Sequence, residues 1–209
     1  MKEATPAPFE RLEQGLTYEA FLSAFAARAA QVQAPGFEPE DEVEALRAGF
    51  IPLNLQRTRR IGKTYTVGPE LLRQLDALRE PQTWMVLTEN WCGDSAQSLP
   101  YLAQIADASA LITLRILARD ENLDLMDRYL TGGARSIPKL VAFDARGREL
   151  FRWGPRPRPA VELMEREKAA GTPKEEILPQ LHKWYAQDRG RTLEAELLAL
   201  LRRAAQASG

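Results

Sequence analysis

The stretch LTENWCGDSAQSLP, residues 87–100, holds the only cysteine in 209 residues. Trp91 precedes Cys92, and Gly93, Asp94 and Ser95 follow it. A cysteine attacks disulfides as its thiolate, so the surroundings of Cys92 decide what it can do. The local pattern predicts that Cys92 ends a strand and opens a helix. Unpaired backbone N–H groups and the positive end of the helix dipole favour an anion there. Ser95, one turn on, can aim its hydroxyl at the sulfur. Asp94 acts the other way, because a like charge disfavours the thiolate. A dipole effect of about 0.3–1 kcal/mol against a carboxylate of similar influence leaves that balance open. Glu89 could move protons, but a surface carboxylate is the expectation. His182, the single histidine, lies between Leu181 and Trp184, far along the chain. It reads as a packed or surface residue rather than a base. One cysteine and one histidine cannot assemble a Cys/His metal site, so no metal is expected.

Placing Cys92 in that way requires a strand before it and a helix after it. TWMVLTEN, residues 83–90, is a short apolar run with turn-like flanks and predicts a buried strand. SAQSLPYLAQIADAS predicts a helix containing Pro100. LITLRILARD predicts a strand at about 111–117, and ENLDLMDRYLTGG a helix closed by its glycine pair. IPKLVAFDARGRELFRWG predicts a hairpin turning between Asp144 and Gly147, and AVELMEREKAAG another helix. Ahead of these, YTVGPELLRQLDAL reads as a short extended piece and a helix opening at Pro69. The order over 64–170 is (β)α, βα, βα, ββα, an α/β pattern with parallel pairs and a closing antiparallel hairpin.

The flanks are helical. Thr17 caps a helix with Phe21, Leu22, Phe25 and Ala29 on one face. A second helix is expected from about Glu40 through VEALRAGF. IPLNLQRTRRIGKTY, with Leu53, Leu55, Ile61 and a basic cluster, also reads as helical. Residues 1–16 read as a loose lead-in. At the other end, PKEEILPQLHKWYAQ predicts a helix interrupted at Pro179. TLEAELLALLRRAA predicts one capped by Thr192, with leucines at 193, 197, 200 and 201. Both apolar stripes must pack on the α/β core.

Hydrophobic residues make up 44% and charged residues 27%, with a net charge of −1. That balance gives no general attraction to nucleic acid or to an anionic membrane. No apolar run approaches the roughly 18 residues of a membrane span. The opening MKEATPAPFERLEQG lacks a signal-peptide core. A lone cysteine excludes an intrachain disulfide and fits a reducing compartment, so the cytoplasm is the expected location.

A strand ending in ENWCGDS, a proline eight positions after the cysteine, and SIPKLVAFD followed by a hairpin together resemble the thioredoxin family. WCGDS sits where that family has Trp-Cys-Gly-Pro-Cys. Ser136, Ile137 and Pro138 sit where it has an Ile-Pro with a cis peptide bond. The phrases RDENLDLMDRYLTGGARSIPK and WGPRPRPA are similar to a bacterial group known only as thioredoxin family proteins. The resemblance implies a thioredoxin-like α/β fold over residues 64–170, a central mixed sheet flanked by helices. Helical extensions at 1–63 and 171–209 would pack on it. It implies Cys92 as nucleophile and Ser95 as its hydrogen-bonding partner. Trp91, Gly93, Asp94, Ile137 and Pro138 would form the substrate groove, with Ser136–Pro138 lying against Cys92.

Three departures bear on activity. The second cysteine is Ser95, the intervening proline is Asp94, and the family's buried aspartate, six residues before the nucleophile, is Val86. Three functional readings follow. The leading one is a monothiol oxidoreductase, in which Cys92 forms a mixed disulfide that glutathione or another small thiol resolves. In a binding module, the groove grips peptides and Cys92 is a relic, or a sensor oxidised to sulfenate. The third is a glutathione-linked iron–sulfur carrier, since Cys-Gly-Asp-Ser resembles the Cys-Gly-Phe-Ser of monothiol glutaredoxins. It ranks last, because Trp91 and Ile137-Pro138 match thioredoxin better. The expected partners are protein or small-molecule thiols and disulfides. No resident cofactor, nucleic acid or membrane is expected. A monomer is expected, with a Cys92-linked dimer on oxidation. Arg57, Arg59, Arg60 and Lys63 read as a solvated basic face, and Arg156 and Arg158 sit in a stiff Pro-rich loop without an assigned role.

Overall fold

The structure is a computed structural model and describes residues 9–207. Its centre is a four-stranded sheet in the order β2-β1-β3-β4. The strands are β1 Gln82–Thr88, β2 Ile112–Ala118, β3 Lys139–Asp144 and β4 Glu149–Trp153. β1 runs parallel to β2, with Gln82 opposite Ile112 and Thr88 opposite Ala118. It runs antiparallel to β3, and β3 antiparallel to β4.

β1 reads as a continuous apolar run because both its faces are covered. Trp84 and Val86 point into one cluster with Leu71, Leu99, Leu102, Leu197 and Leu201. Met85 and Leu87 point into another with Leu12, Leu125, Met126 and Val141. The helices of the central unit are α3 Pro69–Asp76, α4 Gly93–Asp107 and the short α5 Leu123–Met126, all later in the chain than α1 Tyr18–Val32 and α2 Glu42–Thr64. After the hairpin come α6 Arg158–Ala169, α7 Lys174–Asp188 and α8 Arg191–Ala207.

The flanking helices join the core. Leu193, Leu197 and Leu201 of α8 lie in the same cluster as Trp84. Phe25 and Ala29 of α1 pack with Ile51 and Leu55 of α2. Thr17 caps α1 by accepting from the Ala20 N–H, and Asp41 caps α2 from the Glu44 N–H.

Several expectations change. The two segments from Glu40 to Tyr65 form one helix that starts at Glu42 and carries Pro52 inside it. The extended piece at 65–68 is in no strand. Glu194 of α8 holds it instead, accepting from the Tyr65 hydroxyl at 2.6 Å and the Gly68 N–H at 3.2 Å. β1 ends at Thr88, so Glu89 to Trp91 form the turn into α4. The helix expected over ENLDLMDRYLTGG shrinks to Leu123–Met126. Gly132 and Gly133 adopt φ of +56° and +77°, and Thr131 pairs back on Ala134. α7 runs through Pro179 unbroken. Pro179 and Glu175 are both exposed, so the carbonyl that the missing N–H leaves free can meet water. Thr192 lies inside α8. Asp188 does the capping, accepting from the Thr192 N–H at 3.2 Å. In the lead-in, residues 1–8 fall outside the described residues. Glu10–Gln14 form a 3-10 turn, and Leu16 pairs with Ile116 on the outer edge of β2. Among the described residues no helix is long and apolar enough to cross a membrane.

Leu197 is fully buried against the sheet although it lies near the end of the chain. Leu197→Ala is therefore expected to lower unfolding free energy by about 2–5 kcal/mol, read from urea denaturation.

Candidate functional site

Cys92 occupies the N-cap position of α4, in extended conformation with φ −80° and ψ 118°. It is only 8% exposed. Its S–H donates to the Ile137 carbonyl at 3.5 Å. The Ile137–Pro138 bond is cis, and a second cis bond joins Gly154 to Pro155. The segment Ser136–Pro138 thus lies against the cysteine. Gly154 packs so closely on Pro138 that a Cβ there would overlap the Pro138 carbonyl oxygen, and its φ is +102°. Glycine is required on both counts.

Burial pushes the Cys92 thiol up to about 11, and the Asp94 carboxylate adds to the rise. The Ser95 hydroxyl and the backbone N–H groups of Ser95 and Asp94 pull the other way. The Ser95 hydroxyl has no hydrogen-bond partner of good geometry, so its pull is that of a nearby dipole. Desolvation therefore decides the balance that the local sequence leaves open.

Asp94 turns away from solvent into a polar cluster supplied by the loop after β4 and by α7. Its carboxylate accepts from the Tyr185 hydroxyl of α7 at 2.9 Å. It also pairs with Arg156 at 2.5 Å. Burial lowers the Arg156 pKa, but the Asp94 charge and hydrogen bond outweigh it, so the net shift is upward. Tyr185 is pushed well up by burial, then by the Asp94 charge. His182 lies over Gly93: a Cβ on that residue would stand 3.5 Å from its Cε1 and 4.0 Å from an Arg57 nitrogen. Burial and the Arg57 charge push His182 down, against a smaller upward pull from Asp94. Arg57 is itself pushed down by burial and by Arg60, and it donates to Asn54 at 3.0 Å. The buried Asn54 in turn donates to the Asn90 carbonyl at 3.2 Å.

On the other side of the cysteine, the guanidinium groups of Arg47 and Arg119 stack on the Trp91 ring, 4.6 and 4.9 Å from its centroid. Asp120 pairs with both, at 3.2 and 2.6 Å. Glu89 accepts from the Asp120 N–H at 2.8 Å. It is partly buried rather than a free surface carboxylate, and burial raises its pKa.

The fold brings Trp91, Cys92, Gly93, Asp94, Ser95, Ile137 and Pro138 together. Four further neighbours come from distant segments: Arg57, Arg156, His182 and Tyr185. The first three were visible as residue types, but their positions depend on helix packing. Tyr185 carried no signal except a place on an apolar helix face. Among the described residues no cluster of three or more His, Cys, Asp or Glu could hold a metal ion.

A family model described as thioredoxin matches residues 47–170. No curated protein matches the chain. The fold is similar to the crystal structure of a protein of unknown function from Pseudomonas aeruginosa. Identity is 17%, the TM-score 0.65, and the match covers 96% of this chain and 99% of that one. It is also similar to an HIV epitope-scaffold, at 18% identity and a TM-score of 0.61, covering 94% and 98%. At such identities the likeness shows the fold alone. It spans the terminal helices as well as the sheet.

Removing a cation from a buried pair strands the carboxylate, whereas removing a hydroxyl donor costs one charged hydrogen bond. Arg156→Met should destabilise by about 3–5 kcal/mol and Tyr185→Phe by about 1.5–3 kcal/mol, read from urea denaturation. The raised thiol pKa also has a pH signature. An unfolded thiol ionises near its ordinary value of 9.0, while the folded one stays protonated to about 11. Its stabilising contribution is complete below the first value and lost as pH rises through the second. Between these values the protein should lose about 2–3 kcal/mol more stability than Cys92→Ala does.

Proposed function

The chain belongs to the thioredoxin family, and we propose that it is a protein-binding module of that fold whose single cysteine rests as a neutral thiol. The observation that carries this reading is the state of Cys92. It is buried, donates to the Ile137 carbonyl, and holds its proton to about pH 11. At neutral pH such a thiol stays protonated. The residues absent from the site agree. Ser95 cannot resolve a mixed disulfide, and Val86 cannot carry protons to one. The binding surface is then the half-buried Trp91 with Ser136, beside the buried Ile137 and Pro138. A lone thiol of this kind suits the reducing cytoplasm.

A second reading, monothiol exchange, draws on one observation. The α6–α7 pair has its own apolar cluster of Ala160, Met164, Ile177, Leu181 and Tyr185. It could shift away from Asp94 as a unit and open the Asp94 side of the site. The Cys92 thiolate would then attack a disulfide, forming one S–S bond and expelling the other sulfur as thiolate. A small external thiol such as glutathione would attack the mixed disulfide and release the Cys92 thiolate.

The rate of iodoacetamide alkylation against pH separates the two. The binding-module reading expects an inflection above pH 9, with modification at pH 7 at least about tenfold slower than in denaturant. It also expects peptide capture to survive Cys92→Ser. An inflection below the ordinary 9.0 of an unperturbed thiol would overturn it and leave monothiol exchange in its place.

A further inference from the structure

α2 shows the site one of its faces and turns another to solvent. Arg47, Asn54 and Arg57 reach Trp91, Asn90 and the Gly93 region. On the solvent side stand Val43, Leu46, Phe50 and Leu53, exposed by 54%, 64%, 41% and 47%. Singly exposed apolar residues need no explanation, but four at helical spacing make a continuous stripe. Beside it lie exposed Ala45 and Gly49, and a Cβ on Gly49 would meet nothing within 4 Å. A neighbouring helix could approach closely there.

The stripe is self-complementary. Its spacings of 3, 4 and 3 read the same in both directions about residue 48. An antiparallel copy of the helix would set Val43 against the partner's Leu53, and Leu46 against the partner's Phe50. The charges obey the same symmetry. Glu38, Glu40 and Glu42 lie at the start of the stripe, and Arg59, Arg60 and Lys63 just beyond its end. Among the described residues none of the six is in an ion pair within the chain. Antiparallel pairing brings each acidic end to the partner's basic end, and parallel pairing would oppose like charges. A face that matches itself under a two-fold rotation fits a second copy of the same chain.

We propose that α2 pairs with the α2 of a second copy in an antiparallel, two-fold symmetric dimer, through Val43, Leu46, Phe50 and Leu53. The patch is small for a permanent interface, so the dimer forms and dissociates with concentration. It is non-covalent and does not use Cys92.

Sedimentation velocity in reductant tests this, on the full chain at about 1–200 μM. A monomer–dimer equilibrium with Kd of about 1–100 μM is expected. Leu46→Glu, at a solvent-facing position, should weaken it at least about tenfold with an unchanged circular dichroism spectrum. Glu40→Lys with Glu42→Lys makes both ends basic, and Arg59→Glu with Arg60→Glu makes both acidic. Each double variant should associate at least about fivefold more weakly, while their mixture forms a heterodimer. A monomer throughout overturns the proposal and leaves the stripe to a partner of another kind. So does association that survives Leu46→Glu, or a mixture that gains nothing over its parts.

Discussion

A carboxylate can leave water only if cations and donors accompany it. Asp94 is the residue at which this constraint organises the molecule. It sits in the first turn of α4, two residues from the cysteine, and is almost fully buried. Its partners are Arg156, from the loop after β4, and Tyr185, from α7. The chain beyond the hairpin is thereby committed to return over the mouth of α4. Cys92 itself is buried among Leu87, Leu117, Met126 and Ile137, and that burial keeps its thiol protonated. One polar residue at the position of the family's proline thus ties Arg156 and α7 to the start of α4.

The central sheet was legible because its signals are local. A strand buried on both faces is an unbroken apolar run, and β1 is one. The hairpin of β3 and β4 announces itself by a polar turn between two apolar stretches. The Ile137–Pro138 edge was placed against Cys92 through the resemblance, and the geometry agrees. The failures share a cause. Pro179 reads as a helix breaker, yet an exposed position can leave a carbonyl to water. Thr192 has the residue type of a cap, but Asp188, one turn earlier, takes that place. The ENLDLMDRYLTGG pattern suits a helix until its glycine pair turns the chain back.

At the site, residue types were legible and neighbourhoods were not. Asp94 could be read as acting on the thiol but not as an anchor for two distant partners. Arg156 was seen in a stiff loop, and only the turn after β4 tells where the loop points. His182 lies 90 residues from Cys92, and nothing local could place it over Gly93. The largest contribution to the thiol, desolvation, has no sequence signature, because it belongs to whatever covers the site.

The pairing of Leu16 with Ile116 reaches beyond the lead-in. β2 is an outer strand of the sheet, and the backbone of such a strand is a template on which another chain can grow. Leu16 donates to and accepts from Ile116, at 2.8 and 2.9 Å, in the middle of that strand. A segment outside the α/β unit thus occupies the place an intruding strand would take. The lead-in thus covers the edge of β2 beside Val86, close to the end of β1 from which the chain runs on to Cys92.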